Sequence, residues 1–143
     1  MTVISATLKN KIDKQASNII KLVDEFAKQH FDAITKTRDG KKQFTDLVEA
    51  SSQASCIDEF KLYIKYKAAK EGTRSLWGGI ANPFNAKIDK LIENIAKKIE
   101  EDDEIVKLEI DKDDEIVKLE VLKRFCGYLM WRAHADISER GGR

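Results

Sequence analysis

Two histidines, two cysteines and a dense run of acids are the side chains that catalysis or metal binding would use. His134 and Asp136 suggest an acid–base pair, but two residues apart on a helix they point away from each other, and no nucleophile accompanies them. His30 falls on the apolar side of a helical pattern and reads as a satisfied histidine at the core edge. Cys56 and Cys126 stand seventy residues apart. With two scattered histidines they form no metal-ligand spacing. They read as small buried hydrophobes of a reducing compartment, with a disulfide open only to a heat-adapted protein. The stretch DKDDEIVKLE (111–120) has carboxylates like a calcium loop but lacks its central glycine and its spacing. The sequence therefore offers no catalytic or metal motif, and the expectation is a protein that is not an enzyme and holds no cofactor.

Phosphate binding is the chemistry with more support. The formal net charge of +1 conceals a segregation: residues 100–115 hold ten acids against Lys107 and Lys112, so this stretch carries −8 and the other 127 residues +9. Such a basic bulk attracts polyanions while the acidic stretch repels them. Lys14, Lys21 and Lys28 recur every seven residues, which on a helix makes a row with a rise of about 10.5 Å per step. The row is either a phosphate path or a solvated face diluted by Asp13, Asp24 and Glu25. Lys36, Arg38, Lys41 and Lys42 crowd the start of a short helix, where cations oppose the macrodipole. They form either a phosphate site or an ordinary basic loop. Lys61, Lys65, Lys67 and Lys70, with Arg74 beyond, interleave with Tyr63 and Tyr66; that pattern fits base stacking, or tyrosines at the edge of a core.

The elements that carry these groups read as helices. Leu8, Ile12, Ile19, Val23, Phe26 and His30 share an arc at 100° per residue and predict one long first helix. A hinge at 30–40 holds three competent caps, Thr35, Thr37 and Asp39. A shorter helix over about 41–50 buries Phe44, Leu47 and Val48. Ser55 with Asp58 resembles a capping box, and the next helix runs to Glu71 with Gly72 as its stop. Residues 73–82 read as the irregular stretch, with Trp77 either plugging the core or exposed as a contact. Asn82-Pro83 then reads as a helix start, leading a stripe of Phe84, Ile88, Leu91, Ile95 and Ile99.

DDEIVKLE occurs twice, at 102–109 and 113–120. An eleven-residue shift is almost three helical turns and keeps a buried face in register. A β-hairpin over 104–121, built on VKLEI and VKLEV, is the competing reading. The last helix, about 114–138, buries Leu119, Leu122, Cys126, Leu129, Met130, Ala133 and Ile137. Its other side presents Arg124, Tyr128 and Trp131, which suits a partner.

With 143 residues and 42% hydrophobic content the chain predicts an all-α, compact bundle of about five helices: one domain over 1–138 and a disordered tail at 139–143. No signal peptide or membrane span is read, so a cytoplasmic, soluble protein is expected. The 36% charged content suggests a heat-adapted source.

The ITKT segment at 34–37 before a short basic helix, YIKYKAAKEG at 63–72 and the closing RFCGYLMWRAHA at 124–135 together resemble the small α-helical subunit of CRISPR effector complexes, the type III subunit first and the archaeal type I subunit as an alternative. The Thr-x-x-Gln-x-Arg pattern frequent in the type III family is only partly met, since Thr35 and Thr37 lead into Arg38-Asp39-Gly40, and the duplication is foreign to it. The resemblance implies a non-catalytic subunit of an antiviral ribonucleoprotein, stacked along other CRISPR effector subunits with possible self-association. Its lysines would contact single-stranded RNA or DNA, or a guide–target duplex. Arg124, Tyr128 and Trp131 would face a neighbouring subunit. The rival expectation is a helical adaptor that binds one protein through the Tyr128/Trp131 face and no nucleic acid.

Overall fold

The computed structural model describes residues 6–37, 39–72, 76–101 and 114–140. Among them the chain is all-α, without a strand. The helices are α1 (Ala6–Asp13), α2 (Ala16–Gln29), α3 (Phe31–Lys36), α4 (Gly40–Gln53), α5 (Ile57–Glu71) and α6 (Leu76–Leu91). A π-helical turn, Ile92–Ala96, carries α6 into α7 (Lys97–Glu101), and α8 (Asp114–Glu139) follows.

α8 is the central element, packed chiefly on α4 and α2 and also on α3 and α5. It earns that place through an unusually wide apolar arc: Val117, Val121, Leu122, Phe125, Cys126, Leu129, Ala133 and Ile137 are all buried. The sequence pattern misses Val117, Val121 and Phe125, because a helix flanked on two sides buries more than one stripe. Residues 114–121 are helical, which overturns the hairpin over 104–121. The first copy of the repeat lies outside the described residues.

The first predicted helix is interrupted at Lys14-Gln15, where Gln15 N–H donates to the Ile12 carbonyl at 2.9 Å. Its predicted arc is nonetheless buried from Leu8 to Phe26. The 30–40 hinge contains α3, which buries Ile34 and Thr35. Its expected caps do not act as caps: Asp39 enters α4 in the left-handed region at φ 56° with no side-chain cap bond. Thr35 instead donates to the Phe31 carbonyl at 2.8 Å. The capping box at Ser55 is also absent. The Glu59 carboxylate accepts from Ser55 N–H at 3.2 Å, and Glu115 of α8 accepts from Ile57 N–H at 3.2 Å. Carboxylates beside a helix N-terminus satisfy its orphan donors as a hydroxyl cap would. Gly72 stops α5 at φ 83°.

α6 corrects the reading of 73–82. It begins at Leu76 and runs through Gly78, Gly79 and Pro83. Pro83 deprives the Gly79 carbonyl of its helical partner, and both residues are exposed. On the other side Leu76, Trp77, Ile80, Ala81 and Phe84 are buried, and that burial holds the helix. Trp77 is the plug of the two readings, 1% exposed, with its indole N–H on Gln43 Oε1 at 3.2 Å. The predicted stripe from Phe84 to Ile99 is buried throughout, across the π-helical turn.

Phe84 is the centre of the core. Its ring lies 5.4 Å from Phe26, 6.2 Å from Phe60, 5.3 Å from Trp77 and 6.1 Å from Phe125, centroid to centroid. Four elements thus meet on one side chain. Where α4 abuts α8, Gly40 is closely packed: a Cβ there would stand 2.9 Å from Ile137 Cδ1, 3.0 Å from Thr37 Cγ2 and 3.3 Å from the Ile34 carbonyl oxygen, so neighbours on two sides would have to shift. Gly40→Ala is expected to cost about 1–3 kcal/mol, read as a lowered denaturation midpoint with an unchanged m-value.

At the C-terminal end, Arg140 bonds Asp32 at 2.8 Å and Thr35 Oγ1 at 2.7 Å and lies over the Phe31 ring. Glu139 closes α8. Of the expected tail at 139–143, residues 141–143 lie outside the described residues.

Candidate nucleic-acid interface

α2 buries Ile19, Leu22, Val23, Phe26 and Ala27, so Lys21 and Lys28 stand diametrically opposite the core. Both are exposed, as is Lys14 in the turn before them. The acids that dilute this row in the sequence are drawn off it. Asp13 bonds Arg124 of α8 and Lys9. Asp24 bonds Arg132 of α8, and Glu25 takes Lys87 of α6 at 3.1 Å. The Arg124 guanidinium, and then Lys9, hold the Asp13 carboxyl below the usual carboxylate range. Lys14, Lys21 and Lys28 make no ion pair among the described residues.

The two arginine–aspartate pairs also fix what lies beside the row. Asp13 at the end of α1 precedes Asp24 of α2 as Arg124 precedes Arg132, so the chain from α1 through α2 runs beside α8 in the same direction. Tyr128 sits one turn from each arginine, on the edge of α8 that faces α2. Trp131 lies two turns beyond Arg124 in nearly the same direction, just outside that edge. Its indole is 66% exposed, and its ring centroid is 5.9 Å from that of Tyr128. Gly127, one turn before Trp131, has open space where a Cβ would stand. Because Asp24 is pinned to Arg132, Trp131 stands level with the span between Lys21 and Lys28. Ile20, 41% exposed, lies one turn before Asp24 on the same edge of α2.

The remaining predicted contacts divide. Lys36 is exposed on α3. Lys41 is half-buried, and its carbonyl accepts from His134 Nε2 at 3.0 Å. Lys42 is tied to Asp46 at 2.8 Å, Lys61 to Asp89 at 2.7 Å and Lys67 to Glu71 at 2.8 Å. Lys65 and Lys70 are exposed, and Lys70 Nζ stands 5.9 Å from the Tyr66 ring centroid. That ring is 57% exposed and Leu62, one turn earlier, 66%, whereas burial raises the Tyr63 phenol pKa. This second basic–aromatic patch is on α5, whose principal neighbour is α6 rather than α2. Arg38 and Arg74 lie outside the described residues. Arg124, placed by the sequence at a subunit interface, is occupied within the chain by Asp13 and Glu120.

No protein-family model, curated protein or solved structure matches this chain.

Among the described residues no group of His, Cys, Asp or Glu could hold a metal ion, and no helix is long and apolar enough to cross a membrane. His134 and Asp136 diverge as the helical spacing requires: the first meets Lys41, the second takes Arg132 at 3.0 Å. Both cysteines are free, and burial pushes the Cys126 thiol pKa up. His30 departs from its reading as a satisfied histidine. It packs on Phe26 with ring centroids 4.5 Å apart, but its buried Nε2 has no partner among the described residues. Burial, and then Lys87, lower its pKa from the ordinary 6.5. A lowered histidine pKa means that the unfolded chain takes the proton first. The stability that neutral His30 contributes is complete above about pH 6.5 and lost as pH falls toward the folded-state value. The wild type is expected to lose thermal stability between about pH 7 and pH 5, and His30→Gln to flatten that loss; equal slopes in the two proteins would exclude His30 as its source.

Proposed function

We propose that this protein is a non-catalytic subunit that holds single-stranded nucleic acid through its phosphates, as the small helical subunit of a CRISPR effector complex would. The observation that carries the reading is the Lys14–Lys21–Lys28 row, exposed and relieved of its local acids by pairs that join α1 and α2 to α8 and α2 to α6. Three cations at this spacing follow a phosphate backbone without reading its bases. Binding is therefore independent of sequence and strongly salt-dependent. The residues that hold the bundle together are not spent on it, which suits a scaffold subunit whose partners are other subunits and the strand they share.

The test is fluorescence anisotropy of a labelled single-stranded RNA of mixed sequence over a series of salt concentrations. The expected result is binding at low salt whose log K falls linearly with log salt, by about 0.7 per phosphate engaged, with the RNA left intact. An adaptor that meets only a protein through Trp131 predicts no binding at any salt, and that outcome would overturn the reading.

A further inference from the structure

We infer that Trp131, backed by Tyr128, is a base-stacking platform for the strand whose phosphates run along Lys21 and Lys28, rather than a contact to a neighbouring protein subunit. The inference rests on the nucleic-acid reading and adds a second kind of contact to it. In the sequence the lysine row and the aromatic pair belong to separate faces of separate helices. In the fold they lie on neighbouring helices, because Arg132 clamps Asp24 and Arg124 clamps Asp13. α2 packs directly on α8, with about one helix–helix spacing of 8–10 Å between their axes.

A single strand needs both elements. Its phosphates seek cations, and its unpaired bases seek flat apolar faces, which every base can use regardless of sequence. Trp131 supplies such a face: its ring is two-thirds exposed, while Trp77, the other tryptophan, is 1% exposed. Tyr128 is half-buried against the core and supports the indole from behind. Gly127 keeps the approach beside the indole open, since nothing stands within 4 Å of where its Cβ would be. A protein partner would equally welcome an exposed tryptophan. The flanking charge decides for the strand: Arg132 is shared by Asp24 and Asp136, which leaves one negative charge, while Lys21 and Lys28, exposed on α2, make no ion pair among the described residues.

The experiment titrates the full chain at low salt with a ten-nucleotide oligouridylate, following anisotropy of the labelled RNA and tryptophan emission together. Trp131 emission, isolated by difference against Trp131→Phe, is expected to be quenched in proportion to occupancy. Trp131→Ala is expected to weaken binding about tenfold, the worth of one base–aromatic stack, while Trp131→Phe retains most of the affinity. The substituted side chain is exposed, and an unchanged circular-dichroism melt confirms an intact fold. Binding with unaltered tryptophan emission and a Trp131→Ala affinity within twofold of wild type would overturn the platform and leave the nucleic-acid reading standing. Emission that changes with protein concentration alone would assign the face to a second copy and overturn it too. Absence of binding overturns both.

Discussion

Lys21→Glu combined with Lys28→Glu is expected to weaken single-stranded RNA binding by more than about tenfold at low salt and to reduce the salt slope by about 1.4, the share of two phosphate contacts to a single strand. The two substitutions turn attraction into repulsion at the centre of the row without touching the core, because both side chains point away from it. A matched control is Lys90→Glu with Lys97→Glu, which changes the net charge by the same amount at exposed positions of α6 and α7. If the two double variants lose affinity equally, the effect belongs to net charge and not to the α2 row. Anisotropy over the same salt series as for the wild type checks both.

Phe84→Ala is expected to destabilise the fold by about 3–5 kcal/mol, the usual cost of removing a fully buried phenyl ring. Its neighbours come from α2, α5, α6 and α8, so the cavity opens where the elements converge and none of them can close it alone. Domains of this size are stable by about 5–15 kcal/mol, so the variant should unfold at markedly lower urea concentration. Phe31→Ala, at a ring 36% exposed, should cost far less. A loss below about 1 kcal/mol for Phe84→Ala would mean that the core is not centred on this ring.

Helical periodicity made most of the core visible in advance. Leu8, Ile12, Ile19 and Phe26 on the first helices, and Phe84, Ile88, Leu91, Ile95 and Ile99 on α6, the π-turn and α7, are buried where the 3.6-residue pattern puts them. Local rules failed where tertiary contacts outweighed them. Gly78-Gly79 and Pro83 are punctuation by propensity, yet Leu76, Trp77 and Ile80 have a core to enter, and that burial outweighs the cost of glycine and proline in a helix. Glu115 caps α5 from 58 residues away, a distance that no capping motif spans. The same holds at the candidate interface. The lysine row is legible from its spacing alone. That Asp24 turns to Arg132, and that α8 with its exposed Trp131 thereby lies beside α2, depends on the packing of α2 against α8. The sequence pattern assigned Arg124 and Trp131 to one partner-facing side. In the fold they divide: the guanidinium turns inward to Asp13, and the indole stays out.

The most direct test of where a strand would lie is an ¹⁵N NMR titration of the full chain with an oligouridylate at low salt. The expected shifts fall on α2 around Lys21 and Lys28 and on α8 from Arg124 to Ala135, the Trp131 indole N–H among the largest, with the Trp77 indole unmoved. Shifts confined to α5 around Leu62 and Tyr66, or no shifts at all, would contradict a strand path formed by α2 and α8.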